Sequence, residues 1–305
     1  MAVIGVGSLG RHHARILAAL PEARLAAVVD SDADRAKEIG DQHGVVSLSD
    51  HRQLDPGIEA VTVAVPTSGH AAVVADCLAR GWAVLVEKPM AARLEEAEAM
   101  LAAAERTGKL LCVGHTERFN PAVRAVAARA RDPRFIEAHR LGVFTARSTD
   151  VDVVLDLMIH DLDVILSLVP SSLESVDAVG VHALTDKVDI ANARLRFANG
   201  CVANVTASRI STDRVRKLRI FEVDSYTSID YAQQEVVAYA LRSSSGRPQI
   251  VRDPIEVRPE EPLAVELRSF LRAVRGEHER CVTAREGLAA LRAARQVVDQ
   301  IGRGR

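Results

Sequence analysis

AVIGVGSLG, residues 2–10, is an apolar run that turns through three glycines. Ala2–Val6 reads as a short strand. Gly5, Gly7 and Gly10 form a GxGxxG with Ser8 and Leu9 inside it, and the helical pattern Arg11–Leu20 follows until Pro21. A second apolar run, Leu25–Val29, ends at Asp30. Strand, glycine turn, helix, strand and acid in this order make a dinucleotide-binding unit. Gly5 suits the tight turn, Gly7 lets the backbone approach a pyrophosphate, and Gly10 lets helix and strand pack closely. The helix N-terminus offers its free N–H groups and positive dipole end to the phosphates. Asp30 stands where a carboxylate accepts both hydroxyls of an adenosine ribose and repels a 2′-phosphate, so NAD is expected over NADP. His12 and His13, in the first helix, read as surface or helix-packing residues with no evident partner nearby.

The alternation continues outward. Helical patterns at Asp32–His43, Thr67–Arg80 and Arg93–Thr107 are interleaved with strand-like Val45–Val46, Ala60–Val65, Ala83–Val86 and Leu110–Val113. That pattern predicts a doubly wound parallel sheet. Ligands of such sheets lie beyond the carboxyl ends of the strands, here the loops GVGSLG, VVDSD, AVPTSGH, VEKPM and VGHTERFN. Glu87-Lys88-Pro89 closes one strand, which brings Lys88 beside the expected nicotinamide. Pro89 biases Lys88 to an extended backbone.

The bulk properties narrow the function classes. A chain of 305 residues suits one large or two ordinary domains. At 48% hydrophobic, 26% charged and a net charge of −2, it reads as a globular enzyme-sized protein and not a nucleic-acid binder. No apolar run reaches the ~18 residues of a membrane helix. Met1 leads straight into the first strand, so no signal peptide is expected and the location is read as cytoplasmic. Cys77, Cys112, Cys201 and Cys281 are widely spaced, make no zinc pattern and read as reduced thiols; no metal is expected.

Val151–Val169, VDVVLDLMIHDLDVILSLV, reads as one helix, apolar almost all round. At ~100° per residue, Asp152, Asp156, His160, Asp163 and Ser167 share one narrow stripe and Asp161 points the opposite way. Helices apolar all round are normally buried. A carboxylate and an imidazole one turn apart on such a helix imply water, a ligand or a partner, because unpartnered buried charge is costly.

Glu87-Lys88-Pro89 after a dinucleotide unit, with Asp156-x-x-x-His160 on a later helix, resembles the Gfo/Idh/MocA family of sugar oxidoreductases. GVGSLG, AVPTSGH, VEKP, GHTERFNPA and DLMIHDLD stand in that family's order, and the resemblance covers essentially the whole chain. HTERFNPA, RFIEAHRLG, TDVDVVLDLMIHDLDVILSLV, LTDKVDIANARLRF and NVTASR further resemble the branch that oxidises the 3-hydroxyl of UDP-N-acetylglucosamine for the amino sugar of some lipid A. The resemblance implies an NAD-binding domain over residues 1–118. It also implies a substrate and oligomerisation domain over 119–305, α+β with a large, mostly antiparallel open sheet, the last helices being free to pack back on the first domain. It implies His160 as general base, Asp156 as the carboxylate beside it, and Lys88 as the cationic partner of the substrate oxygen. Pro66, Thr67, His70 and Glu87 then flank the cofactor, and Arg118 and Asn120 line the substrate cleft. The family often has three glycines before the Asp-x-x-x-His helix. Here the stretch is Ser148-Thr149-Asp150-Val151-Asp152, which makes Thr149, Asp150 and Asp152 candidate substrate contacts.

The second half agrees with a sheet. Phe135–Val143, Ser175–Leu184, Asp189–Phe197, Cys201–Ser208, Lys217–Val223, Ser225–Asp230 and Glu235–Leu241 read as strands, with Asn199-Gly200 as a hairpin turn. Helices are expected near Pro262–Val274 and Arg285–Ile301. A large sheet needs cover on both faces, so a homodimer or homotetramer is expected. Arg118, Arg140 and Arg209 are each candidates to meet a substrate diphosphate. Two other readings stay open: a dehydrogenase of inositol or another sugar, and a non-catalytic NAD-binding regulator, which would need neither Lys88 nor His160.

Overall fold

The computed structural model describes residues 1–145, 151–244, 247–277 and 280–303. In chain order the elements are β1 (Ala2–Ile4), α1 (Gly10–Ala19), β2 (Ala27–Val29), α2 (Ala33–His43), β3 (Val46–Leu48), β4 (Ala60–Val63), α3 (His70–Ala79), β5 (Ala83–Glu87), α4 (Leu94–Thr107) and β6 (Leu111–Gly114). There follow α5 (Pro121–Ala127), β7 (Phe135–Leu141), a π-helical turn (Val154–Met158), α6 (Ile159–Leu168), β8 (Leu173–Val181), β9 (Ile190–Phe197), β10 (Val202–Ser208) and β11 (Val215–Phe221). β12 (Ser225–Asp230), β13 (Glu235–Ser244), β14 (Arg247–Arg252), α7 (Pro262–Val274) and α8 (Ala284–Arg303) complete the chain. Two compact units result. One is Met1–Thr116 with Glu261–Leu288, the other Glu117–Glu260 with Ala289–Arg305.

In the first unit six parallel strands take the order β3-β2-β1-β4-β5-β6. Every residue of β1, β4 and β5 is buried, as expected of strands covered on both faces. The order reverses between β1 and β4, where such sheets bind ligands. Asp32 caps α2 by accepting the Arg35 N–H at 3.1 Å, and Gly44 closes that helix with φ +65°. α7 returns from the far end of the chain. Leu267, Phe270 and Leu271 join Val3, Leu17, Leu20 and Val28 in one apolar cluster.

Next to β6, Val113 N–H donates to the Val282 carbonyl at 2.9 Å, and Cys112 and Cys281 form a disulfide. The expectation of four reduced thiols therefore fails for this pair. The two cysteines are 169 residues apart in sequence, and only the return of the chain beside β6 makes them neighbours. Cys77 and Cys201 are free and buried.

The second unit carries eight strands in the order β14-β13-β12-β11-β7-β10-β9-β8. β7 and β10 are parallel, and every other pairing is antiparallel. Burial alternates along β9 and β7, so the sheet has an inner and an outer face. Ile136, Ala138, Ala193, Leu195, Val205 and Leu218 are buried on the inner one. The outer face carries an aromatic row across four strands, with ring centroids of Phe135–Phe221 at 5.6 Å, Phe221–Tyr226 at 5.1 Å and Tyr226–Tyr239 at 6.4 Å. β14 was not expected from the sequence: Pro248 and its polar neighbours hide an edge strand, where a residue without an N–H is tolerated.

Candidate active site

The three glycines of the first turn do three different things. Gly5 has φ +86°, and a Cβ there would lie 2.6 Å from the Val65 nitrogen. A Cβ on Gly10 would lie 1.7 Å from the Gly5 carbonyl oxygen, so α1 reaches the strand only because that position is bare. Gly7 has nothing within 4 Å of where a Cβ would stand. That open approach at the start of α1 is what a pyrophosphate requires, and the residues fit NAD. Ser8 and Leu9 are exposed beside it.

Asp30, at the carboxyl end of β2, is only 7% exposed. Its Oδ2 accepts the Val6 N–H at 2.9 Å and its Oδ1 the Asp32 N–H at 3.0 Å. Arg35, in the first turn of α2, places Nη1 3.3 Å from Oδ1 and 3.4 Å from Oδ2. Its Nη2 is 2.9 Å from Asp32 Oδ2.

The loops after β4 and β5 are tied together. Pro66 precedes a 3-10 turn, Thr67–Gly69, and α3 begins only at His70, where a single helix from Thr67 was expected. His70 is buried, with Nδ1 3.0 Å from the Pro89 carbonyl and Nε2 3.0 Å from the Val65 carbonyl. Burial pulls the His70 imidazole below its ordinary pKa, against the two carbonyls, which favour the charged form. The ring thus bridges the two loops, and half-buried Lys88 directly precedes Pro89 across a cis peptide bond.

Glu87 and His13 form a buried pair, Nε2 to Oε1 at 2.9 Å. Of the two readings given for His12 and His13, surface or helix packing, the structure gives His13 the second and adds a side-chain partner, Glu87. His12 is exposed, but His13 turns inward from α1 to the end of β5, 74 residues away. Burial alone would raise the Glu87 pKa. The His13 hydrogen bond and the Lys88 charge outweigh it and hold the carboxyl below its usual range. The Lys88 N–H also reaches Glu87 Oε2 at 3.3 Å. Glu87 therefore anchors the backbone that carries Lys88.

In the second unit Asp156 lies within the π-helical turn and His160 in the first turn of α6, both half-buried. The uniform helix expected over Val151–Val169 is thus corrected: Val154–Met158 is wound more loosely, and such bulges recur at functional sites. Asp163 does not lie on an open stripe either. It is 1% exposed, and Arg118 grips it with Nε to Oδ2 at 2.7 Å and Nη2 to Oδ1 at 3.1 Å. Asp161, also 1% exposed, receives Arg140 Nε at 2.7 Å and Nη2 at 3.1 Å. Arg140 Nη1 reaches Glu117 Oε1 at 2.8 Å, and its guanidinium lies 5.0 Å from the Tyr231 ring centroid. Burial opposes the Arg140 charge, but Asp161 and Glu117 overcome it and raise its pKa.

The other expected substrate residues have local partners. Asn120 is buried: its Oδ1 caps α5 through the Ala122 N–H at 3.1 Å, and its amide donates to the Tyr231 carbonyl at 3.0 Å. Asp152 Oδ1 accepts the Val188 N–H at 3.0 Å. Arg209 is buried, donates to the Val151 carbonyl and sits 3.9 Å from Asp189. Thr149 and Asp150 lie outside the described residues. The functional contacts missed from sequence are His13–Glu87, Arg35–Asp30, Arg118–Asp163 and Arg140–Asp161. For the last two, apolar neighbours around both aspartates were the available signal.

Residues 1–115 match the family profile described as "Oxidoreductase family, NAD-binding Rossmann fold" and residues 122–222 the "GFO/IDH/MocA C-terminal domain". The chain is 37% identical over 298 residues to a UDP-N-acetylglucosamine 3-dehydrogenase of Acidithiobacillus ferrooxidans, covering 97% of this chain and 95% of that one. A solved structure of that protein superimposes with a TM-score of 0.91, covering 98% and 96% of the two chains. The scyllo-inositol 2-dehydrogenase (NAD(+)) of Bacillus subtilis is 28% identical over 308 residues, 92% and 88% of the two chains. Among the described residues no helix is long and apolar enough to cross a membrane.

The glycines separate folding from binding. Gly10→Ala must displace backbone, and a loss of ~1–3 kcal/mol or more in denaturant stability is expected. Gly7→Ala meets open space, so its stability should stay within ~0.5 kcal/mol of wild type while calorimetry shows NAD affinity falling ~10-fold or more. Equal behaviour of the two variants would contradict the division of roles.

Proposed function

The chain belongs to the Gfo/Idh/MocA family of NAD-binding oxidoreductases, and we propose that it oxidises the C3 hydroxyl of UDP-N-acetylglucosamine to the 3-keto sugar. The observation that carries this reading is the full-length likeness to the Acidithiobacillus enzyme in both sequence and fold. The inositol dehydrogenases are less similar over nearly the whole chain, which favours a nucleotide sugar over a cyclic polyol.

When bound, NAD supplies the nicotinamide carbon that accepts the hydride. Loss of hydride from a neutral alcohol would leave a protonated ketone, so a base must take the hydroxyl proton. His160 is assigned that task, an imidazole being the side chain that exchanges protons near neutral pH. Its Nδ1 is buried, which favours Nε2 as the nitrogen that takes the proton. Asp156, four residues earlier, is assigned to orient the ring. Lys88 is assigned to donate to the same substrate oxygen and stabilise its alkoxide character. Thr149, Asp150 and Asp152 are assigned to the substrate. Arg118 and Asn120, whose polar atoms hold Asp163 and the start of α5, are assigned to lining the substrate cleft.

This reading puts the protein in the cytoplasm, supplying the amino sugar of some lipid A, as a homodimer or homotetramer. The outer face of the eight-stranded sheet supports the assembly: Phe135, Phe221 and Tyr226 are half-exposed and Tyr239 is exposed.

Incubation with NAD and a panel of UDP-sugars, inositols and free sugars should give turnover with UDP-N-acetylglucosamine; turnover of inositol alone would sink the substrate assignment. His160→Asn and Lys88→Met should each lower turnover by ~10²–10⁴-fold. The double variant should be no worse than the poorer single one, since groups acting as a unit share one barrier. A folded His160→Asn protein with wild-type rates across the pH range would end its role as base. Light scattering at micromolar concentration should give a dimer or tetramer mass, and Tyr226→Asp should shift it downward.

A further inference from the structure

Asp30 does not present a bare carboxylate. Its two oxygens take the Val6 and Asp32 N–H groups, and the Arg35 guanidinium lies within 3.4 Å of both. Arg35 is held there twice over: Asp32 accepts its backbone N–H at 3.1 Å and its Nη2 at 2.9 Å. The side chain is 44% exposed, so a solvent-accessible guanidinium stands against the carboxylate assigned to the adenosine ribose. A guanidinium fork matches the oxygens of a phosphate, and charge-assisted bonds of that kind are the strong ones. A 2′-phosphate arriving there would meet a carboxylate and a guanidinium together.

We propose that Arg35 is a specificity-determining residue for the cofactor: it offsets Asp30 in the native protein and is the built-in ligand for the 2′-phosphate of NADP once the Asp30 charge is removed. The inference rests on the assignment of this turn to a dinucleotide, and it concerns affinity rather than turnover. Asp30 supplies exclusion through its charge, and Arg35 limits how strong that exclusion becomes. Removing each should therefore move the NAD-to-NADP preference in opposite directions.

Calorimetric titration of the full chain with NAD and with NADP tests this on wild type, Asp30→Asn, Arg35→Ala and the double variant. Asn keeps an acceptor for the Val6 N–H, and melting curves check that each variant is folded. Asp30→Asn should gain ~10–100-fold in NADP affinity, the worth of one or two charge-assisted bonds. The double variant should lose that gain. Arg35→Ala alone should weaken NADP more than NAD and so widen the preference for NAD. An Asp30→Asn gain that survives without Arg35 would overturn the proposal, as would an Arg35→Ala preference ratio equal to wild type. Should Asp30→Asn fail to fold, the Arg35→Ala ratio alone decides. Wild type that binds neither dinucleotide would instead overturn the cofactor assignment itself, and the proposal with it.

Discussion

The second unit depends on a rule about charge: a carboxylate taken out of water must find a cation. α6 carries two such carboxylates, Asp161 and Asp163, each 1% exposed and about 200° apart around the helix. Each is met by a two-pronged arginine, Arg140 from β7 and Arg118 from the turn before α5. Such pairs contribute little net stability, because burial of both charges offsets their attraction. Their effect is on specificity. Removing one partner strands the other at ~3–5 kcal/mol, so the helix has a single rotation and a single height that satisfies both arginines. His160 sits immediately before Asp161, and its direction follows from that choice.

A comparable logic runs through the first unit at lower charge density. Lys88 occupies a strand end whose neighbours are all spoken for. Glu87 is paired with His13 from α1, and His70 spans the carbonyls of Val65 and Pro89. None of these residues need react. They tie α1 and the loops after β4 and β5 into one surface, so the lysine backbone has little freedom left. Positioning groups of this kind matter because a reacting geometry is held to within fractions of an ångström by what stands behind it.

Much of this was legible in the chain. Gly5, Gly7 and Gly10 could be assigned separate duties because a missing Cβ is a local property, readable without knowing the partner. The alternating helices and strands, seven of the eight strands of the second sheet and the Asn199-Gly200 turn, where Gly200 has φ +83°, were open to the same treatment. What escaped was whatever depends on distant partners. His13 and Glu87 are 74 residues apart, Arg118 and Asp163 are 45, and Cys112 and Cys281 are 169. The helical wheel showed Asp161 pointing away from His160, but no periodicity could say that Arg140 waits there. The π-helical turn was equally hidden, since Val-Leu-Asp-Leu-Met has the same apolar spacing in either winding.

The first unit is also discontinuous in the chain, and this bears on how the protein is made. A ribosome completes all six strands of the parallel sheet by Gly114. The apolar patch beside α1 then stays open to water until Leu267, Phe270 and Leu271 emerge, after the whole of residues 117–260 has been translated. During synthesis the nucleotide-binding half therefore waits for residues 261–288, although it comes first in the sequence, and residues 289–305 complete the second unit later still. A nascent chain stalled before Glu261 would display a nearly complete sheet with an uncovered apolar flank, the kind of surface that chaperones hold and that aggregates recruit.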